Sequence, residues 1–219
     1  MAEENEALFK EIEEELRQDK ADEIWKVYGN YFVGAALSLV IGVGAYQGWK
    51  TYDLDNRNAR GEIFEAARAL SVKNKPNEAL DAFSALAKDQ NDGYSFLARF
   101  REAGLLSDAK DHASAADIYK SLSANADLPK QYSDLAIVLG ALQELDGKTG
   151  SSVMGDQLAG ILDAKNPWRH SAREISGLIA LKNGDRKKAR ALLKELAEDA
   201  TAPQGLAQRA NEMLKTIIE

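Results

Sequence analysis

Between Lys26 and Lys50 the chain carries no charge at all: the twenty-three residues from Val27 to Trp49 are wholly uncharged. As a helix rising ~1.5 Å per residue this segment reaches roughly 35 Å, against about 30 Å of bilayer hydrocarbon. Tyr28, Tyr31, Tyr46, Trp49 and Tyr52 gather at its two ends, where amphipathic rings favour the membrane–water boundary. The chain is polar elsewhere, so the segment reads as one transmembrane anchor on an otherwise water-facing protein. Two plainer readings compete. A buried core helix can be as apolar, but Gly34, Gly42, Gly44 and Gly48 are unusual there. A cleaved signal peptide would find small residues at −3 and −1 in Gly42 and Gly44, yet signal peptides open on a short basic stretch. Here the 26 preceding residues carry ten acids and four bases. The flanks therefore favour an uncleaved anchor. Gly34, Ser38 and Gly42, with Gly44 and Gly48 one turn apart, form a candidate contact face for another transmembrane helix, although such spacing is common by chance.

The formal charge of −7 divides unevenly. Residues 1–26 hold four bases and ten acids, −6, and the remaining 24 bases and 25 acids leave only −1. A body so close to neutral argues against a dedicated nucleic-acid surface. With no cysteine in the chain, disulfides, thiol catalysis and cysteine–zinc sites are excluded. Arg17, Lys20 and Lys26 before the anchor balance Lys50, Arg57 and Arg60 after it, so the positive-inside rule does not orient the protein.

Beyond Lys50 the periodicity is helical, broken by short turns, and the chain repeats itself. A pattern of small residue, alanine twelve later, a bulky residue four later and leucine three later fits Ala67/Ala79/Phe83/Leu86. It fits again at Ala103/Ala115/Tyr119/Leu122 and at Gly177/Ala189/Leu193/Leu196. A fourth copy is due near Gly140 and is present in degraded form, with Ser152 as the small residue and Asp156 and Ala159 in the bulky positions. Asn74, Lys110, Gly147 and Gly184 recur seven residues after each start; three of these four tolerate the left-handed conformation that ends a helix. Gly93, Pro129, Pro167 and Pro203 open the following helices, where proline's missing N–H costs nothing.

The pattern predicts an all-α body of about four stacked helix–turn–helix pairs. The first helices span about 60–73, 94–109, 130–146 and 168–183, the second about 76–88, 112–124, 151–164 and 185–199. A last helix at 204–218, with Leu206, Ala210, Met213, Leu214 and Ile217 along one side, caps the stack. The expected organisation is an acidic amphipathic tail at 1–26, a transmembrane helix at 27–49, a linker at 50–59 and a repeat domain at 60–219. Spacing and chemistry over 60–203 resemble the tetratricopeptide repeat, lengthened by two or three residues, with a generic α-hairpin solenoid as the alternative.

The ends of the chain carry a further resemblance. Leu16–Trp49, with Arg17, Asp19, Ile24-Trp25, Tyr28-Gly29 and Tyr46-Gln47-Gly48-Trp49, is similar to the N-terminal anchor of the YfgM-type family of bacterial tetratricopeptide-like membrane proteins. Asn166-Pro167-Trp168-Arg169, Ala172-Arg173-Glu174 and Asn183-Gly184-Asp185 resemble that family's last repeat. The resemblance implies a single-pass helix in the bacterial inner membrane, the N-terminus in the cytoplasm and the repeat domain in the periplasm. It also implies association with the SecYEG translocon and periplasmic chaperones, and help to newly exported, unfolded proteins. No catalytic motif, cofactor or small-molecule substrate comes with it.

Chemistry is sparse in the residues themselves. His112 and His170 lie far apart with no carboxylate at metal-ligand spacing, and read as surface histidines. Ser151-Ser152 lacks a nucleophile elbow, the segment Gly147–Gly155 lacks a phosphate-loop lysine, and Lys187, Lys188 and Arg190 read as a solvated helix face. A tetratricopeptide unit turns one face of its first helix into a concave groove, three residues before the small start position. The residues there are Phe64, Phe100, Ile137 and Glu174, and Val72, Leu145 and Leu181 lie further along the same helices. The six apolar members form a candidate client groove suited to unfolded chains, with plain core packing as the alternative. In the tail, Leu8, Phe9, Ile12 and Leu16 recur at helical spacing opposite Glu4, Glu11, Glu14 and Glu15, a face for a partner protein or a solvated extension of the anchor. The function so implied is a non-catalytic adaptor or holding chaperone at the Sec translocon; the alternative is a scaffold that clusters envelope-assembly or cell-division proteins.

Overall fold

The computed structural model describes residues 2–89, 93–147 and 153–217, with side chains before residue 22 described only in part. It divides into two compact units, 1–59 and 60–219. Helix α1, Ala2–Val72, supplies all of the described first unit and the first helix of the second. Residues 50–59, expected as a linker, are helical and lie inside α1. The helix contains a stretch long and apolar enough to cross a membrane. Its side chains are bare: Leu37, Leu39, Val40, Ile41 and Val43 are all about half or more exposed. A core helix of a water-soluble protein would bury them. Gly34, Gly42, Gly44 and Gly48 have open space around them, and Ser38 Oγ donates back to Gly34 O at 2.8 Å. Leu8, Phe9 and Ile12 of the acidic tail lie outside the described side chains.

In the second unit every described element is helical. After α1 come α2 (Pro76–Asp89), α3 (Gly93–Asp108), α4 (His112–Ser123), α5 (Lys130–Asp146), α6 (Val153–Gln157), α7 (Arg169–Lys182), α8 (Arg186–Glu198) and α9 (Gln204–Thr216). A 3-10 turn, Leu158–Ile161, continues α6. The core runs along the stack as four linked clusters. The first joins Phe64 and Ala67 of α1 to Phe83 and Leu86 of α2, and the last joins α7, α8 and α9 around Leu193, Leu196 and Ala210. The repeating small residues account for the close helix pairs: Ala67, Ala79, Ala103, Ala115 and Ala189 are all essentially inaccessible.

Three of the four turns share one hydrogen-bond geometry. Asn74, Lys110 and Gly184 take positive φ of 58°, 66° and 79°. In each, the left-handed residue donates three residues back and the next donates five back, as Gly184 N to Leu181 O and Asp185 N to Ala180 O do. This is the Schellman motif, which satisfies the last carbonyls of a helix. Lys110 adopts it without glycine's freedom. Gly147 does not: it is extended, at φ −71° and ψ 164°, and donates only four back to Gln143 O. Two turns then start the next helix at once, because Asp111 accepts from Ser114 N at 3.1 Å and Asp185 from Lys188 N at 2.9 Å. The Ser114 hydroxyl and amide hold the Asp111 carboxyl below its ordinary pKa. Pro129 and Pro203 sit one residue before the helices they open, at the N-cap of α5 and α9.

The third repeat departs from its expected register. Ser152 lies outside the described residues, while Asp156 and Ala159 are exposed. The buried residues are Met154, Leu158 and Ile161, at the same four-then-three spacing but two positions later. The helix expected over 151–164 is correspondingly a five-residue α6 followed by the 3-10 turn. Met154 stands where the other repeats have alanine. It fits because its partner is Gly140, where a Cβ would lie 2.8 Å from Met154 Cε and 3.2 Å from Tyr119 Cβ. A large residue against glycine fills the space that two alanines fill in the first two repeats.

Candidate functional site

Because α6 is short, α5 lies directly beside α7, and α9 lies on the same side. Between the three helices runs a groove of about 530 Å³. Its floor is Val138 of α5 and Ile175 of α7, both buried. Half-buried Leu139, Leu142 and Leu178 rise from that floor, and Leu206 and Met213 of α9 close the third side. The polar residues of the lining are Ser171, Glu174, Arg209 and Glu212. Arg209 grips Glu174 with both ends of its guanidinium, Nε donating to Oε1 at 2.7 Å and Nη2 to Oε2 at 3.1 Å. This forked pair ties α9 to α7 and raises the Arg209 pKa.

Polar contacts fix the start of α7 against α5. Asp134, buried on α5, accepts from Lys130 Nζ and Asn166 Nδ2, both at 2.9 Å. Asn166 Oδ1 accepts from Trp168 N at 2.9 Å, and the Trp168 indole donates to Gln131 O at 2.7 Å. The Asn-Pro-Trp-Arg stretch is therefore a structural clasp that sets the angle at which α7 leaves the turn. On the other side, buried Arg173 reaches Glu195 of α8 at 2.7 Å. Asp199, in the turn between α8 and α9, accepts from the Thr201 amide and hydroxyl at 2.8 and 2.5 Å, which lowers its pKa. Neither histidine is a surface residue. His112 is half-buried with Nδ1 2.8 Å from Gln143 Oε1, and His170 is 5% exposed beside Asp199. Of the expected basic face, Lys187 and Lys188 are solvated, whereas Arg190 donates to Ile217 O at 2.9 Å.

The six residues named from the sequence do not share one surface. Phe64 is core, 9% exposed, with its ring edge-on to Phe83 at 5.4 Å. Val72 is exposed and, with half-buried Phe100, lines a separate hollow of about 370 Å³ between α1 and α3. Phe100 also lies 6.0 Å from the ring of Tyr119, whose hydroxyl pKa burial raises. Ile137 packs on the core around Met154, Leu181 on the core of α8 and α9, and Leu145 is half-buried. Only Glu174, the charged member of that column, reaches the groove. At about 100° per residue, a side chain three before the small position lies only about 60° from it, which turns Phe64 and Ile137 toward the core. The groove takes residues one or two away from Gly140 and Gly177: Val138, Leu139, Leu142, Ile175 and Leu178.

A family model described as a tetratricopeptide repeat-like domain matches residues 23–215, 193 of the 219 residues. The chain belongs to that family. The match takes in the charge-free stretch of α1 as well as the stacked pairs. Neither a curated protein nor a solved structure matches the chain. Tetratricopeptide-like domains are typically non-catalytic and present helix-pair surfaces to other proteins, so the ligands to look for here are proteins.

Proposed function

We propose that this protein is a membrane-anchored, non-catalytic adaptor or holding chaperone that assists newly exported proteins at the Sec translocon. The observation that carries the reading is the groove between α5, α7 and α9, with its mainly apolar lining and the Arg209–Glu174 pair as its ionic contact. Apolar contact selects for exposed hydrophobic side chains rather than for one sequence, which suits an unfolded client. The exposed apolar stretch of α1 supports an anchor, with Gly34, Ser38, Gly42, Gly44 and Gly48 offering a face to a neighbouring transmembrane helix. The resemblance of both ends of the chain to the YfgM-type family supports the rest. The acidic tail then lies in the cytoplasm and the repeat domain in the periplasm, within reach of SecYEG and periplasmic chaperones.

The test is the full chain in lipid nanodiscs, added to an unrelated protein diluted from denaturant. Scattering should rise more slowly in its presence, and Leu142→Glu or Leu178→Glu should remove the effect while circular dichroism stays helical. Unchanged scattering, alongside capture of folded envelope proteins, would instead identify a scaffold.

A further inference from the structure

We propose that His170 is a proton-operated latch on α9, so that acidification loosens the third wall of the groove; as regulation of the client site, this rests on the groove reading above. His170 stands in the first turn of α7 and is 5% exposed. The charged groups around it come from three elements. Its own helix contributes Arg169 and buried Arg173, α8 contributes Glu195, and the turn before α9 contributes Asp199. Glu195 is occupied by Arg173 Nη2 at 2.7 Å. Asp199 Oδ1 is occupied by the Thr201 amide and hydroxyl. The other oxygen of that carboxylate, Asp199 Oδ2, stands 3.6 Å from His170 Nδ1 and 3.6 Å from Arg173 Nη1, too far to bond either. Both of those nitrogens are buried without a hydrogen-bond partner. Thr201 Oγ1 accepts from Arg169 Nη2 at 2.9 Å and lies 3.5 Å from His170 Nε2.

A neutral imidazole fits this corner. A protonated one is a further cation beside buried Arg173 and half-buried Arg169, with Glu195 already paired to Arg173 and Asp199 the carboxylate nearest to balance it. The movable partner is the turn carrying Asp199 and Thr201, because it is the stretch that leads into α9 at Gln204. As the turn withdraws, it carries Leu206, Arg209 and Met213 away from the groove. Burial, with Arg169 beside it, lowers the His170 pKa; Asp199 opposes the fall and Arg173 adds to it. A group depressed in this way contributes its stability above the ordinary imidazole value, and that stability is lost as pH falls from about 6.5 through the depressed value.

Hydrogen exchange of the full chain in nanodiscs between pH 8 and 5, corrected for intrinsic rates, reads the latch directly. Exchange across α9 should quicken at least about threefold relative to α4 below about pH 6.5, and His170→Gln should abolish the change. Should that variant misfold, His112→Gln leaves one histidine whose NMR titration must coincide with α9 loosening. Exchange of α9 that tracks α4 throughout, or that quickens equally in His170→Gln, would overturn the latch. Loosening of α9 in a protein that captures no unfolded chain at pH 7.5 would remove the client reading and leave the latch standing.

Discussion

The pairing of Gly140 with Met154 yields a quantitative expectation. Met154 is fully buried, so Met154→Ala should cost about 2–5 kcal/mol, the lost burial plus the cavity left behind. Gly140→Ala alone places a Cβ 2.8 Å from Met154 Cε, 3.3 Å from Met154 Cγ and 3.2 Å from Tyr119 Cβ. Overpacking of that kind costs about 1–3 kcal/mol, against about 1 kcal/mol gained from replacing a mid-helix glycine. The single variant should therefore be neutral to about 2 kcal/mol destabilised. With Met154 already alanine, two of the three close contacts vanish. The same Gly140→Ala change should then stabilise by up to about 1 kcal/mol, giving the alanine–alanine pair of the first two repeats. The coupling between the sites should reach about 1–3 kcal/mol. Urea titrations of residues 60–219, read by Trp168, the single tryptophan of that segment, measure all four corners of the cycle. Equal effects of Gly140→Ala in both backgrounds would refute the compensated pair and the shifted register with it.

Other outcomes follow from the turns and the topology. At Gly184 an added Cβ meets no neighbour within 4 Å, so Gly184→Val should cost roughly 1 kcal/mol or more chiefly through the strain of φ +79°, visible in the same titration. Lys110→Gly should raise stability by roughly 1 kcal/mol, since φ is 66° there. Asp111 supports the start of α4 while ionised, so that support is present above pH 3.8 and lost as pH falls through its lowered pKa; Asp111→Asn should flatten the acid limb of the helical signal. Alkaline phosphatase joined after Glu219 should be active in cells, and an active cytoplasmic reporter there would place the repeats on the other side.

Much of this architecture is legible because packing against a partner helix imposes small residues at fixed spacing. Ala103 and Gly177 announce themselves, and with them the bounds of α3 and α7 to within a residue, whereas the expected start at 60 is the interior of α1. The third repeat hides because a large residue facing a glycine, Met154 against Gly140, takes the place of the small–small pairs by which the other repeats are recognised. Lys110 shows the same limit in a turn: hydrogen bonds to Ser107 O and Leu106 O hold a left-handed residue that its side chain does not advertise, while Gly147, which advertises it, is extended. The six apolar residues of the expected groove scatter, since large apolar side chains face both core and hollow: Phe64 is core, whereas Val72 and Phe100 line a hollow of their own. The His170 corner carries no sequence signal of its own, as Arg173, Glu195 and Asp199 meet only when α7 and α8 pack.

In the function proposed above, the groove between α5, α7 and α9 holds newly exported proteins beside the translocon. A photo-cross-linking residue at Leu178, inside the groove, and another at Lys187, on the exposed face of α8, compare the two surfaces in intact membranes during active export. Adducts with translocon subunits and with newly exported chains should form from position 178 and not from 187. Equal labelling from both positions, or none from 178, would contradict the account.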